Sequence, residues 1–162
     1  MEIKNPYNDP ASVKARKEQE DPWVMYCIVK HSLGMSVGKT AAQVGHAIGI
    51  LYGEYHRIQD NLRDALDDTT GYARQPSDLS IEHMAQLIKS TNFYDWKKDS
   101  FRKIVLKAKD TQWDNLKEKL ECYIVRDAGL TEIEAGSETV IGLWPCRRSQ
   151  APNIVKKLQC LK

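Results

Sequence analysis

Lys39, Gln43 and His46 stand four and then three residues apart. If the segment that carries them is helical, all three project from one face, because residues at those offsets lie above one another on a helix. A lysine, an amide and an imidazole in one row can hold an anion, donate to a carbonyl oxygen and pass a proton. Polar rows are also common as the solvated side of amphipathic helices, and the row alone does not separate the two. Lys39 tips the balance, since it falls in the first helical turn, where a cation opposes the helix dipole by about 0.3 to 1 kcal/mol. An anion is expected to meet it there, either a ligand phosphate or an oxyanion that develops during reaction.

A second group begins at Asp127-Ala128-Gly129, followed by Thr131 and then by Gly136-Ser137-Glu138-Thr139. Asp and Gly form turns whatever the function. A carboxylate at the end of a strand in an α/β sheet nonetheless lies on the rim where ligands bind. There it has the hydroxyls of Thr131, Ser137 and Thr139 close in sequence to hold a water or a substrate oxygen. Gly38-Lys39-Thr40 after a glycine-bearing turn has the outline of a phosphate-binding P-loop, but the count excludes it. Gly34 to Gly38 leaves three residues where four are required, and Leu33 occupies the place of the first glycine.

The elements that must position these groups can be traced along the chain. Trp23 to Lys30 is an almost unbroken apolar run of strand length, as expected of a central strand covered on both faces. A long helix should start near Gly38. Ala42, Gly45 and Gly49 recur on it at helical spacing, and such a small-residue face is expected to lie close on a sheet, with the polar row on a different side. From His56 to Trp96 the pattern becomes polar and turn-bearing at Asp67-Asp68-Thr69-Thr70-Gly71, with a second helix capped by Ser80, so a helical insertion is expected at about 56–96.

Further strands are expected at Phe101 to Ala108, Cys122 to Arg126 and Thr139 to Trp144. An amphipathic helix carrying Trp113, Leu116 and Leu120 should follow Asp110, and a short last helix should contain Pro152 in Ala151 to Leu158. Strands alternating with helices predict an α/β fold, a three-layer sandwich with a four-stranded mixed sheet flanked by helices. Residues 1–22, polar and proline-bearing, read as a flexible N-terminal extension to a domain at 23–162.

Composition narrows the class. The chain has 162 residues, 41% hydrophobic and 28% charged, with no apolar run near the roughly 20 residues that cross a bilayer. No membrane partner and no signal peptide are expected, which leads to a cytoplasmic address. Cys27, Cys122, Cys146 and Cys160 show no metal-ligand spacing and read as reduced structural thiols. Net charge is only +2 but unevenly spread. Arg147 to Lys162 holds five basic residues and no acid, whereas Glu54 to Asp95 holds eight acidic and four basic residues. The basic end either faces an RNA backbone or is simply solvated.

Taken together, Gly38-Lys39-Thr40-Ala41-Ala42-Gln43-x-x-His46-Ala47 and Asp127-Ala128-Gly129-x-Thr131 through Gly136-Ser137-x-Thr139-Val140 resemble the two signature stretches of the type II peptidyl-tRNA hydrolases. Leu106-Lys107-Ala108 and Leu158-x-x-Leu161 add to the likeness, which covers Trp23 to about Tyr55 and Trp96 to Lys162. The resemblance implies an often dimeric hydrolase, free of metal and cofactor, that cleaves the ester joining a peptide to the terminal ribose of tRNA and acts in rescue of stalled or prematurely released peptidyl-tRNA.

By matching position it assigns Lys39, Asp127, His46 and Gln43 to catalysis, and Thr131, Thr139 and Ser137 to substrate binding. The chain departs from the family at Ser32, where an aspartate is usual, at Leu130 (basic), at Glu138 (glutamine) and at Trp144 (glycine). Its 56–96 segment is also longer. These departures frame two other readings, a non-catalytic relative that binds tRNA or another RNA, and an interaction module built on the insertion.

Overall fold

The computed structural model describes residues 10–17, 20–67 and 79–162. Much of the 1–22 extension and the Asp68–Gly71 part of the expected turn lie outside the described residues; within the extension, Pro10–Lys17 forms a helix, α1. The run Trp23–Lys30 is strand β1, as its composition demands. Its even positions Val24, Tyr26 and Ile28 pack into one buried cluster. Its odd positions Trp23, Met25, Cys27 and Val29 pack into two others on the opposite face. A strand with period-two alternation can be apolar throughout only if both faces are covered, and here they are.

Helix α2 spans Val37–Leu66, capped by Ser36, whose side chain accepts from the Lys39 N–H. It continues well into the polar region and keeps one buried stripe throughout: Gln43, Ala47, Leu51, Tyr55, Ile58 and Leu62. Helix α3, Ile81–Asp95, is capped by Ser80 as its sequence predicts. It docks beside α2 through aromatic packing, with Phe93 stacked 4.5 Å from Tyr55 and edge-on 5.0 Å from Tyr52. After a π turn at Trp96–Ser100, strand β2 (Arg102–Ala108) pairs parallel to β1.

Helix α4 (Asp110–Lys119) buries Trp113 and Leu116 against the other face. Strands β3 (Tyr123–Arg126) and β4 (Glu138–Gly142) pair antiparallel, and β4 joins β1. Next come β5 (Cys146–Arg147), helix α5 (Asn153–Lys156) and β6 (Gln159–Cys160). The sandwich therefore has α2 and α3 on one face and α4 and α5 on the other.

Two expectations need correction. The sheet has six strands, not four, with path β3-β4-β1-β2-β6 and β5 on β1, and one parallel pair among antiparallel ones. The added strands are two residues long, too short to leave an alternation pattern in sequence. The Leu143 N–H still donates to the Tyr26 carbonyl of β1 at 2.9 Å, and β5 resumes along β1 after a break at Trp144-Pro145, where proline has no N–H to give. The expected strand to Trp144 accordingly ends at Gly142.

The small-residue stripe of α2, expected against the sheet, faces away from it. Ala42, Gly45 and Gly49 are exposed, and a Cβ added at Gly45 or Gly49 would meet nothing within 4 Å. Close approach of helix and sheet occurs instead at Ala47, fully buried, and at Gly142 of β4, where an added Cβ would stand 3.1 Å from Leu51 Cδ1. Among the described residues no helix is long and apolar enough to cross a membrane.

Candidate active site

β1 and β3 run in the same direction, because each is antiparallel to β4. Their C-terminal ends therefore share one edge of the sheet. The chain leaves β1 at that edge and turns into α2, which places Lys39 and Gln43 opposite Asp127, the first residue after β3. The connection from Asp127 to Ser137 is closed on itself: the Asp127 N–H donates to the Ser137 carbonyl at 3.0 Å and the Gly136 N–H to the Asp127 carbonyl at 2.7 Å. Gly129 is required in this turn. Its φ is +75°, and a Cβ would lie 2.6 Å from Ala135.

The polar side chains form one chain of bonds from the core to the surface. Thr139, fully buried, donates its hydroxyl to Gln43 Oε1 at 2.6 Å. Gln43, 3% exposed, donates through Nε2 to Asp127 Oδ1 at 2.8 Å. The Lys39 ammonium lies 2.6 Å from that same oxygen and donates to Thr131 Oγ1 at 2.9 Å. Asp127 Oδ2 accepts from the Gly129 N–H at 2.9 Å.

An ionised carboxylate only accepts, so the Gln43 amide must present nitrogen to Asp127 and oxygen to Thr139, and its orientation is fixed. One Lys39 N–H and the second Gln43 N–H have no acceptor among the described residues. The Lys39 ammonium, then the Gly129 N–H and Gln43, hold the Asp127 carboxyl below the usual carboxylate range. The anion expected opposite Lys39 is thus in part the protein's own.

These groups open on a cleft of about 750 Å³ lined by Lys39, Gln43, His46, Asp127 and Thr131. Ala42, Gly45, Gly49, Ile50, Val125, Arg126, Ala128 and Leu130 supply the rest of its wall, so the stripe of small residues borders open space instead of the sheet. Leu130 is 86% exposed. His46 lies on the cleft and makes no side-chain hydrogen bond among the described residues. The polar row is therefore divided: Gln43 belongs to the buried stripe of α2, while His46 stands exposed beside it.

Six of the seven residues singled out from sequence are brought together here. Ser137 is not; it acts through its carbonyl and N–H at the base of the turn and does not line the cleft.

One pair has no counterpart in the sequence reading. Glu132 accepts from both the N–H and the hydroxyl of Ser36, the cap of α2. It thereby ties the Asp127–Ser137 turn to the start of the helix that bears Lys39, and these bonds hold its carboxyl below the usual range. Ser36 carries a legible signal, a serine just before a helix. Glu132 carries none, since its partner is 96 residues away.

Three of the departing residues lie away from the cleft. Ser32 donates to Asp110 at 2.6 Å, at the start of α4. Trp144 donates from its indole to the Lys89 carbonyl at 2.9 Å and packs 5.0 Å from Phe93, which fastens α3 to the sheet. Glu138 does not line the cleft; it binds Trp113 and Lys117 of α4 and also Arg126, which does. Among the described residues no group of three or more His, Cys, Asp or Glu side chains is arranged to hold a metal ion.

Residues 23–161 match the model of the family described as peptidyl-tRNA hydrolase PTH2. A peptidyl-tRNA hydrolase of Methanococcus maripaludis strain C6 is 34% identical over 140 residues, covering 83% of this chain and 95% of that protein. One from Methanopyrus kandleri is 28% identical over 141 residues with the same coverage. A probable peptidyl-tRNA hydrolase 2 of Caenorhabditis elegans is 32% identical over 126 residues, 74% of this chain and 31% of that longer protein.

Proposed function

The chain belongs to the peptidyl-tRNA hydrolase PTH2 family, and on that premise we propose that Lys39, Gln43, His46, Asp127, Thr131 and Thr139 carry out the hydrolysis of the ester that joins a peptide to the terminal ribose of tRNA. As a peptidyl-tRNA hydrolase it must make water attack an acyl carbon, stabilise the oxyanion that forms and protonate the departing ribose oxygen. The observation that carries the assignment is the 2.6 Å pair of Lys39 and Asp127, braced by Gln43, at the floor of an open cleft.

The unused N–H groups of Lys39 and Gln43 are the donors available to an oxyanion. Both are fixed before substrate arrives, the condition under which such donors lower a barrier; loss of one costs about 10² to 10³ in kcat. Asp127 Oδ2 retains acceptor capacity beside the Gly129 N–H and would hold the attacking water. A carboxyl held below the usual range is a weaker base than a free one, so its larger part is to keep Lys39 and the water in position. Thr139 locks the Gln43 amide, Thr131 holds Lys39 from the turn side, and His46 on the cleft wall would meet the ribose hydroxyls. A place of action in the cytoplasm belongs to the same proposal.

The test is release of labelled N-acetyl-aminoacyl ester from tRNA by the purified chain. Activity that survives both Lys39→Ala and Asp127→Ala would remove the proposal.

A further inference from the structure

The basic residues near the C-terminus have no part in the chemistry above, and two of the five are engaged elsewhere. Arg147 packs over Trp23 and donates to the Asp21 carbonyl, and Lys156 donates to the Ser149 carbonyl. Lys157 differs. With His31, Lys107, Lys109, Gln112 and Gln159 it lines a polar cleft of about 390 Å³ that no carboxylate lines. None of Lys107, Lys109 and Lys157 is in an ion pair among the described residues. The acid nearest in sequence, Asp110, is met by Ser32 and by Lys30 at 3.9 Å.

Strand register shows where this cleft sits relative to the active site. Val125, Val140, Val29, Lys107 and Gln159 form one row across five strands. Asp127 lies two residues past Val125, and Lys109 lies two past Lys107 on a strand of the same direction. Both therefore stand on one edge of the sheet, separated by three strand spacings, with β6 one further. At about 4.8 Å per strand this is roughly 14 to 19 Å.

We propose that this lysine cleft is the docking surface for the phosphate backbone of the substrate tRNA, four to six nucleotides or so in from the esterified ribose at a stacked rise of about 3.4 Å each. The inference rests on the peptidyl-tRNA reading. Ammonium groups in no ion pair among the described residues, in a cleft that no carboxylate lines, are suited to releasing counterions from RNA, and their distance from Lys39 and Asp127 separates grip from chemistry.

Fluorescence anisotropy of deacylated tRNA labelled at its 3′ end, titrated with the full chain over a series of KCl concentrations, tests it. The slope of log affinity against log salt should fall by about 0.7 to 0.9 for each lysine removed in Lys107→Gln, Lys109→Gln and Lys157→Gln. Lys119→Gln, at the far end of α4, should leave it unchanged, and the Arg counterparts of the three should retain binding. KM for peptidyl-tRNA should rise at constant kcat, while hydrolysis of peptidyl-adenosine stays as in the wild type. A folded triple Gln variant with wild-type slope overturns the proposal, as do Arg variants that lose as much binding as Gln. Failure of the hydrolase reading would show separately, as a wild-type chain that binds tRNA but releases no peptide.

Discussion

Lys39 Nζ and Asp127 Oδ1 meet at 2.6 Å in surroundings that leave their side chains only 12% and 5% exposed. A pair so shielded from solvent has its geometry and its charge state fixed together. The ammonium favours the ionised form of the Asp127 carboxyl, and Gln43 and Thr131 hold the two from either side.

The first consequence concerns pH. Asp127 is lowered by Lys39 above all, so its folded value lies below its unfolded one. Its contribution to stability is present above the ordinary carboxylate range and is lost as pH falls through the lowered folded value. In Lys39→Met the main cause of lowering is gone, so the contribution should be smaller and its loss complete at a higher pH. Urea midpoints measured from roughly pH 2 to pH 7 check this; superimposable acid limbs in the two proteins would contradict it.

Asp127→Asn keeps an acceptor for Gln43 but leaves Lys39 without its counter-charge. Turnover of peptidyl-tRNA should fall by about 10² to 10³, the cost of losing one positioned oxyanion donor, since Lys39 is then no longer held in place. KM should change little, because the substrate's RNA is gripped elsewhere. Single-turnover kinetics separates the two parameters.

Thr139→Val retains shape and removes the hydrogen that fixes Gln43. A buried amide oxygen then lacks its donor, which costs about 1 to 3 kcal/mol. The amide is also freed to turn its oxygen toward the cleft, so kcat should drop alongside stability, and Thr139→Ser should restore both. If Thr139→Val lowers stability and leaves kcat at the wild-type value, the amide needs no lock.

Glu132→Ala severs the tie between the turn and the Ser36 cap. Amide exchange across 129–136 should accelerate and kcat fall, with the sheet amides unaffected. Hydrogen-exchange mass spectrometry reads the first effect and the ester assay the second.

Trp144→Ala removes the indole that joins Lys89 and Phe93. Trp144 is half-buried, so its loss should cost less than the ~3 to 5 kcal/mol of a core aromatic, and protection from exchange should be lost first in α3. Hydrolysis should persist at temperatures where the sheet stays folded, since Trp144 does not line the cleft.

Local pattern determined much of this. The apolar run of β1 required two covered faces, Ser80 announced α3, and the spacing of Trp113 and Leu116 gave the buried side of α4. Lys39, Gln43, His46, Asp127, Thr131 and Thr139 were all legible as candidates from residue type, order and resemblance. Which face of α2 meets the sheet was not.

Gly45 and Gly49 look made for close packing, and Gln43 looks made for solvent, yet the glycines are exposed and Gln43 is buried. A buried amide is tolerable only when both ends are bonded, and its partners, Asp127 and Thr139, lie 84 and 96 residues away. Periodicity divides a helix into faces, but the choice among them depends on long-range partners. The same reason hides the tie of Glu132 to Ser36, the two-residue strands β5 and β6, and the meeting of Lys157 with Lys107 and Lys109. Each exists only because strands remote in sequence lie side by side in the sheet.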